Sequence, residues 1–121
     1  MSNLVAVYGS LRAGLHNHVV LGDNPYVSMG ITKGWKMHSL GAYPALTRSD
    51  KADEVVVELY QVGNMDKLDH LEGYPKYYTR KQVKVETPTG AVLAWVYYMK
   101  GELTDPVVVG GDWKKWLKEQ T

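Results

Sequence analysis

Apolar residues along this chain follow two periods, and the switches between them mark out the elements. Leu4-Val5-Ala6-Val7-Tyr8 is a continuous apolar run, the pattern of a strand buried on both faces. It stops abruptly at Gly9-Ser10-Leu11-Arg12-Ala13-Gly14. Residues 15–22 carry only a weak helical pattern. From Tyr26 to Asp50 the pattern predicts short irregular strands broken at Gly30, Gly34, Gly41 and Pro44. Val55, Val57 and Leu59 then alternate with Glu54, Val56 and Glu58, which predicts a half-buried strand.

A period near three takes over at Met65, Leu68 and Leu71. With Asn64 as N-cap and Gly73 and Pro75 as stop signals, residues 64–72 predict a short helix of about two turns. Alternation returns where Val83 and Val85 interleave with Gln82, Lys84 and Glu86. Thr87-Pro88-Thr89-Gly90 places Pro second and Gly fourth, as a type I turn prefers, and a long apolar strand from Ala91 to Met99 follows. Residues 79–99 therefore predict a hairpin. Asp112 can cap a second helix, near 112–119, whose Trp113, Trp116 and Leu117 share one face.

These elements predict an α+β fold: a mixed, strand-dominated, β-barrel-like domain with short helices packed at its side, strand 4–8 central, and residues 1–121 forming a single domain. At 121 residues the chain can bury a core without covalent staples. The absence of cysteine excludes disulfides, thiolate chemistry and cysteine-based zinc sites. A net charge of +1, with acids and bases scattered, gives no electrostatic footprint for duplex nucleic acid or an anionic membrane. No apolar stretch approaches the roughly 20 residues of a membrane helix, and the N-terminus lacks the basic and apolar regions of a signal peptide. The expectation is a soluble, cytoplasmic protein; its oligomeric state is not encoded in these patterns. Nine Tyr and four Trp with no Phe supply apolar bulk plus a hydrogen-bonding group, which suits half-wet cavities as well as a core.

Two features suggest chemistry. Glu72 closes the predicted helix 64–72, where the last carbonyls carry partial negative charge, so a carboxylate there loses about 0.3–1 kcal/mol. The same field opposes its ionisation and moves its pKa toward the range of a general base. A solvated surface glutamate is the plainer alternative. The second feature is Tyr8-Gly9-Ser10-Leu11, where a buried strand ends in glycine and can present backbone N–H groups as a nest for a carboxylate or oxyanion. The loop is neither a Walker loop nor a dinucleotide fingerprint. Ser10 lacks the glycines of a nucleophile elbow, since Tyr8 and Arg12 flank it. His16, His18, His38 and His70 are scattered without metal-ligand spacing, which leaves a serine triad or a metal site as minor alternatives. Tyr74 to Lys81 interleaves aromatic and basic residues as single-strand binders do, but it is one stretch in a nearly neutral chain.

In order along nearly the whole chain, these segments resemble the gamma-glutamyl cyclotransferase-like superfamily, especially its gamma-glutamylamine cyclotransferase branch. The resemblance is carried by Val7-Tyr8-Gly9-Ser10-Leu11-Arg12, Gly14-Leu15-His16-Asn17-His18, Tyr43-Pro44-Ala45-Leu46, Leu68-Asp69-His70-Leu71-Glu72-Gly73-Tyr74-Pro75, Tyr78-Thr79-Arg80 and Gly111-Asp112-Trp113. One departure is Gly110, where the family often has serine before Gly-Asp-Trp. The resemblance implies Glu72 as general acid/base and Tyr8, Gly9, Ser10 and Leu11 as the holder of the glutamyl moiety, with Tyr78 lining the same cavity. It implies cyclisation of a gamma-glutamyl amine or amide to 5-oxoproline, with a small-molecule partner and no metal or cofactor. The less patterned loops at 22–50 and 100–111 are expected to read the leaving amine. A binding module that kept the pocket without catalysis is the competing expectation.

Overall fold

The computed structural model describes residues 3–51 and 53–120. Its strands are β1 (Asn3–Val7), β2 (Tyr26–Lys33), β3 (Trp35–Ser39), β4 (Pro44–Arg48), β5 (Glu54–Val62), β6 (Thr79–Thr87) and β7 (Gly90–Tyr98). Five of them close into a barrel in the order β1-β5-β2-β6-β7, while β3 and β4 pair as a separate two-stranded sheet. The expected α+β, barrel-like architecture is the one observed. Strand β1 runs antiparallel to β5, with Val5 opposite Tyr60, and parallel to β7, with Val5 opposite Trp95. It has no free edge.

The unbroken apolar run of β1 follows from having a core on each side. Ala6 packs with Val57, Leu59, Val85, Ala94 and Val96, to which Trp35, Met37 and Leu46 of the small sheet and Trp113 are added. Val5 and Val7 face the other way, into a cluster with Leu11, Leu21, Ala45, Leu68 and Tyr97. Each Val, Leu or Met among these, taken fully from water, contributes about 1.5–3 kcal/mol.

Two local expectations are corrected. Gly30 does not break a strand: β2 passes straight through it, because a side chain there would sit 2.5 Å from Val85 Cγ1. Glycine is what the crowded barrel wall admits. Glu58 is not on a half-solvated face either. It is buried, because Arg12, the Ala13 amide, Tyr60 and Lys114 converge on its carboxylate.

Helix α1 (Asp66–Glu72) begins one residue later than Asn64 suggested. Met65 occupies the N-cap, and Asn64 Oδ1 instead accepts the Asp66 N–H at 2.8 Å. Gly73, at φ 65°, closes the helix and donates its N–H to the carbonyls of Asp69 and His70. Helix α2 (Trp113–Glu119) is capped as expected, Asp112 accepting the Lys115 N–H. The weakly helical stretch 15–22 contains a 3-10 helix, His18–Leu21. The hairpin β6–β7 turns at Pro88-Thr89, with Thr87 opposite Gly90. Among the described residues no helix is long and apolar enough to cross a membrane.

Candidate active site

Strand β1 delivers the chain to one end of a cavity of about 510 Å³, within the size range of small-molecule sites. Tyr8, Gly9, Ser10 and Leu11 line it, as do Glu72 and Tyr78, so the six residues singled out in the sequence share one cavity. The turn hydrogen bonds of the loop are donated by Arg12 to Gly9, Leu15 to Arg12, Asn17 to Ser10 and His18 to Leu15. The amides of Gly9, Ser10 and Leu11 are not among those turn donors. Gly9 is required by packing: a Cβ there would lie 2.7 Å from both Cγ and Cδ of Pro44. The side chain of Asn17 donates to Ser10 Oγ at 2.8 Å and sets the hydroxyl's direction.

The loop is pinned from below by a buried charge cluster. Arg12 Nε donates to Glu58 Oε2 at 2.9 Å and its Nη1 to Asp112 Oδ1 at 2.9 Å. Glu58 Oε1 takes the Ala13 N–H at 2.8 Å and the Tyr60 hydroxyl at 2.9 Å. Burial opposes ionisation of Glu58, but these donors together hold its carboxyl below the ordinary range.

Glu72, the last residue of α1, stands in another wall of the cavity. Among the described hydrogen bonds and ion pairs none involves its side chain. Burial raises its pKa from 4.5 to about 7. The sequence predicted a shift in this direction from the helix end; the cause resolved in the structure is desolvation by burial. Tyr8, Tyr78 and Tyr97 all sense the Glu72 charge, which contributes to their own raised pKa values after burial. They stay neutral donors.

Those donors are aimed at the protein. Tyr8 Oη donates to the Tyr97 carbonyl at 2.7 Å, and Tyr78 Oη donates to the Pro44 carbonyl at 3.0 Å. Tyr78 therefore lines the cavity without a hydrogen bond to Glu72. Tyr97 donates to Asp69 Oδ1 at 2.6 Å, and Asp69 also receives Arg80 through Nε at 2.9 Å and Nη2 at 3.2 Å.

The sequence reading did not single out Tyr43, Tyr77, Tyr97 or Met99 as site residues, although all line the cavity. The alternation of β7 offered a signal for Tyr97 and Met99, which fall on one face. Of the two loops expected to read the leaving amine, 22–50 contributes Tyr43 and Pro44, and 100–111 contributes nothing to the lining. The latter is held against β3, where Ser39 N–H donates to the Pro106 carbonyl and Val108 N–H to that of Met37, both at 2.8 Å.

Known proteins share this chain's sequence pattern and fold. A protein of Methanocaldococcus jannaschii that carries the provisional name gamma-glutamylcyclotransferase is 34% identical over 116 residues, covering 93% of this chain and 96% of its own length. YkqA from Bacillus subtilis superposes with a TM-score of 0.81 at 26% identity; the match spans all of this chain and 44% of YkqA. An AIG2-like protein from Mus musculus shares the fold at a TM-score of 0.78 and 23% identity, over 88% of this chain and 86% of that one. Residues 5–115 match the family described as gamma-glutamyl cyclotransferase, AIG2-like, and the chain belongs to that family.

Proposed function

We propose that this protein is an enzyme that cyclises the gamma-glutamyl group of a gamma-glutamyl amine or amide to 5-oxoproline and releases the amine. The observation that carries the reading is the carboxylate of Glu72, without a hydrogen-bond or ion-pair partner among the described residues, in one cavity with Gly9, Ser10 and Leu11. A gamma-glutamyl amide contains its own nucleophile, the α-amine, placed to close a five-membered ring on the γ-carbonyl carbon. Holding the two ends in attack geometry can supply about 7–11 kcal/mol of the barrier.

In this reading the α-ammonium loses one proton to water, and its nitrogen then forms the new bond to the γ-carbonyl carbon. Glu72 takes a second proton from that nitrogen. The carbonyl oxygen becomes an oxyanion, stabilised by N–H groups of the loop. As the bond to the leaving nitrogen breaks, Glu72 returns its proton there. A pKa of about 7 suits both transfers near neutral pH, since the carboxyl can accept and donate without a large penalty either way.

The test is release of 5-oxoproline across a panel of gamma-glutamyl amines. Glu72→Gln keeps the size of the side chain but removes the shuttle, so turnover falls by at least about 10²-fold. Affinity changes little, because the cradle is main chain. Tight binding by wild type without any 5-oxoproline would instead establish a binding module, and full activity of the variant would remove Glu72 from the mechanism.

A further inference from the structure

The lining of the cavity carries information about the half of the substrate that leaves. Among the described residues that line it, Glu72 is the one carboxylate, and there is no lysine or arginine. Its other polar side chains are those of Ser10, Asn17, His70 and the tyrosines, two of which, Tyr8 and Tyr78, already donate their hydroxyls to backbone carbonyls. On the cyclotransferase reading, the end lined by Gly9, Ser10 and Leu11 takes the glutamyl group. What remains is aromatic and aliphatic.

Two rings stand at the rim. Tyr43 is 46% exposed and Tyr77 74% exposed, yet both line the cavity. Tyr43 precedes Pro44, whose ring lies against Gly9 of the loop. Tyr77 is on the side of Glu72: its N–H donates to the Gly73 carbonyl at 2.9 Å and its ring packs over Gly73. Exposed aromatic faces at a cavity mouth favour apolar or aromatic contact, and a wall without compensating charge disfavours an ionised group.

We infer that the leaving amine of this site is an uncharged apolar or aromatic one, clasped between Tyr43 and Tyr77, rather than an amino acid or a polyamine. The inference rests on the cyclotransferase reading for its chemistry, and on the cavity lining for its specificity. A carboxylate on the leaving half would meet no lysine or arginine in the lining. A second ammonium would find one carboxylate among the described lining residues, Glu72, whose ionisation is needed for proton transfer.

The experiment compares four substrates that differ only in the amine: gamma-glutamyl benzylamide, gamma-glutamyl methylamide, gamma-glutamylglycine and the monoamide of gamma-glutamate with 1,5-diaminopentane. Wild type is expected to release 5-oxoproline from the benzylamide with kcat/KM at least about tenfold above the glycine and diamine conjugates. Tyr77→Ala and Tyr43→Ala are expected to lower the ratio of benzylamide to methylamide turnover, and Tyr77→Phe to restore it. Equal or better turnover of the charged conjugates overturns the inference while leaving the cyclotransferase reading intact. If no member of the panel yields 5-oxoproline, that reading fails, and calorimetric affinities for the same four compounds decide the specificity claim alone. Binding of the glycine or diamine conjugate as tight as the benzylamide would then reject it.

Discussion

Glu72 holds its proton differently in the folded and the unfolded chain, and the difference reaches stability as well as mechanism. Its folded pKa of about 7 lies above the unfolded 4.5, so between those values the native state binds the proton that the unfolded chain has lost. Stability from this group is complete below about pH 4.5 and is lost as pH rises through 7. Ionising a carboxyl shifted by this much costs the fold up to about 3 kcal/mol. Glu72→Gln has no such cost, so urea unfolding should find the variant more stable than wild type at pH 8, by up to about 3 kcal/mol, with the gap closing toward pH 4.5. A pH-independent difference would show that Glu72 titrates normally. The position of this residue was legible in the sequence, because the spacing of Met65, Leu68 and Leu71 and the stop at Gly73 place it at a helix end. The strength of the shift was not, because the groups that desolvate it come from other strands and loops.

At the scale of the element, what places Glu72 is the attachment of α1 to the β6–β7 hairpin. Asp69 lies one turn before Glu72 and receives three donors, two from Arg80 of β6 and one from Tyr97 of β7. Arg80 is itself stacked between rings, 4.7 Å from the centroid of Tyr74 and 4.5 Å from that of Trp95. Asp69→Asn keeps the shape but removes the charge that both residues address. It should lower stability by about 1–3 kcal/mol. Because Asp69 does not line the cavity, activity should fall through kcat more than KM, as a misplaced Glu72 requires. Calorimetric unfolding paired with steady-state kinetics checks both halves; wild-type kcat in a destabilised variant would mean the tether serves only the fold. Helix, hairpin and C-cap glycine could each be read from local pattern. Their attachment could not, since nothing in the spacing of Asp69, Arg80 and Tyr97 reveals that three separate elements meet there.

Across the whole molecule the cradle depends on a contact between segments distant in sequence. Arg12 follows the loop, Glu58 belongs to β5, and Asp112 caps α2; Arg12 and Glu58 side chains are each only 4% exposed. The strand-dominated barrel was legible because alternation and turns are local, whereas Glu58 read as one face of a half-buried strand because its three side-chain donors lie 2, 46 and 56 residues away. Removing one member of such a pair leaves a buried charge underserved, which costs about 3–5 kcal/mol where no other partner exists. Asp112 still serves Arg12, so Glu58→Gln should fall near the lower end, about 3 kcal/mol at pH 7. The pH dependence has the opposite sign to that of Glu72. Glu58 has a depressed folded pKa, so its contribution is present above its unfolded value of 4.5 and is lost as pH falls through the folded one. Acid titration of wild type should therefore show, below the unfolded value of 4.5, a loss of stability steeper than in Glu58→Gln, whose stability is already reduced and no longer depends on this proton. The measurement is the urea midpoint between pH 3 and 7. Parallel acid limbs in the two proteins would mean that Glu58 is not the group whose protonation releases the loop.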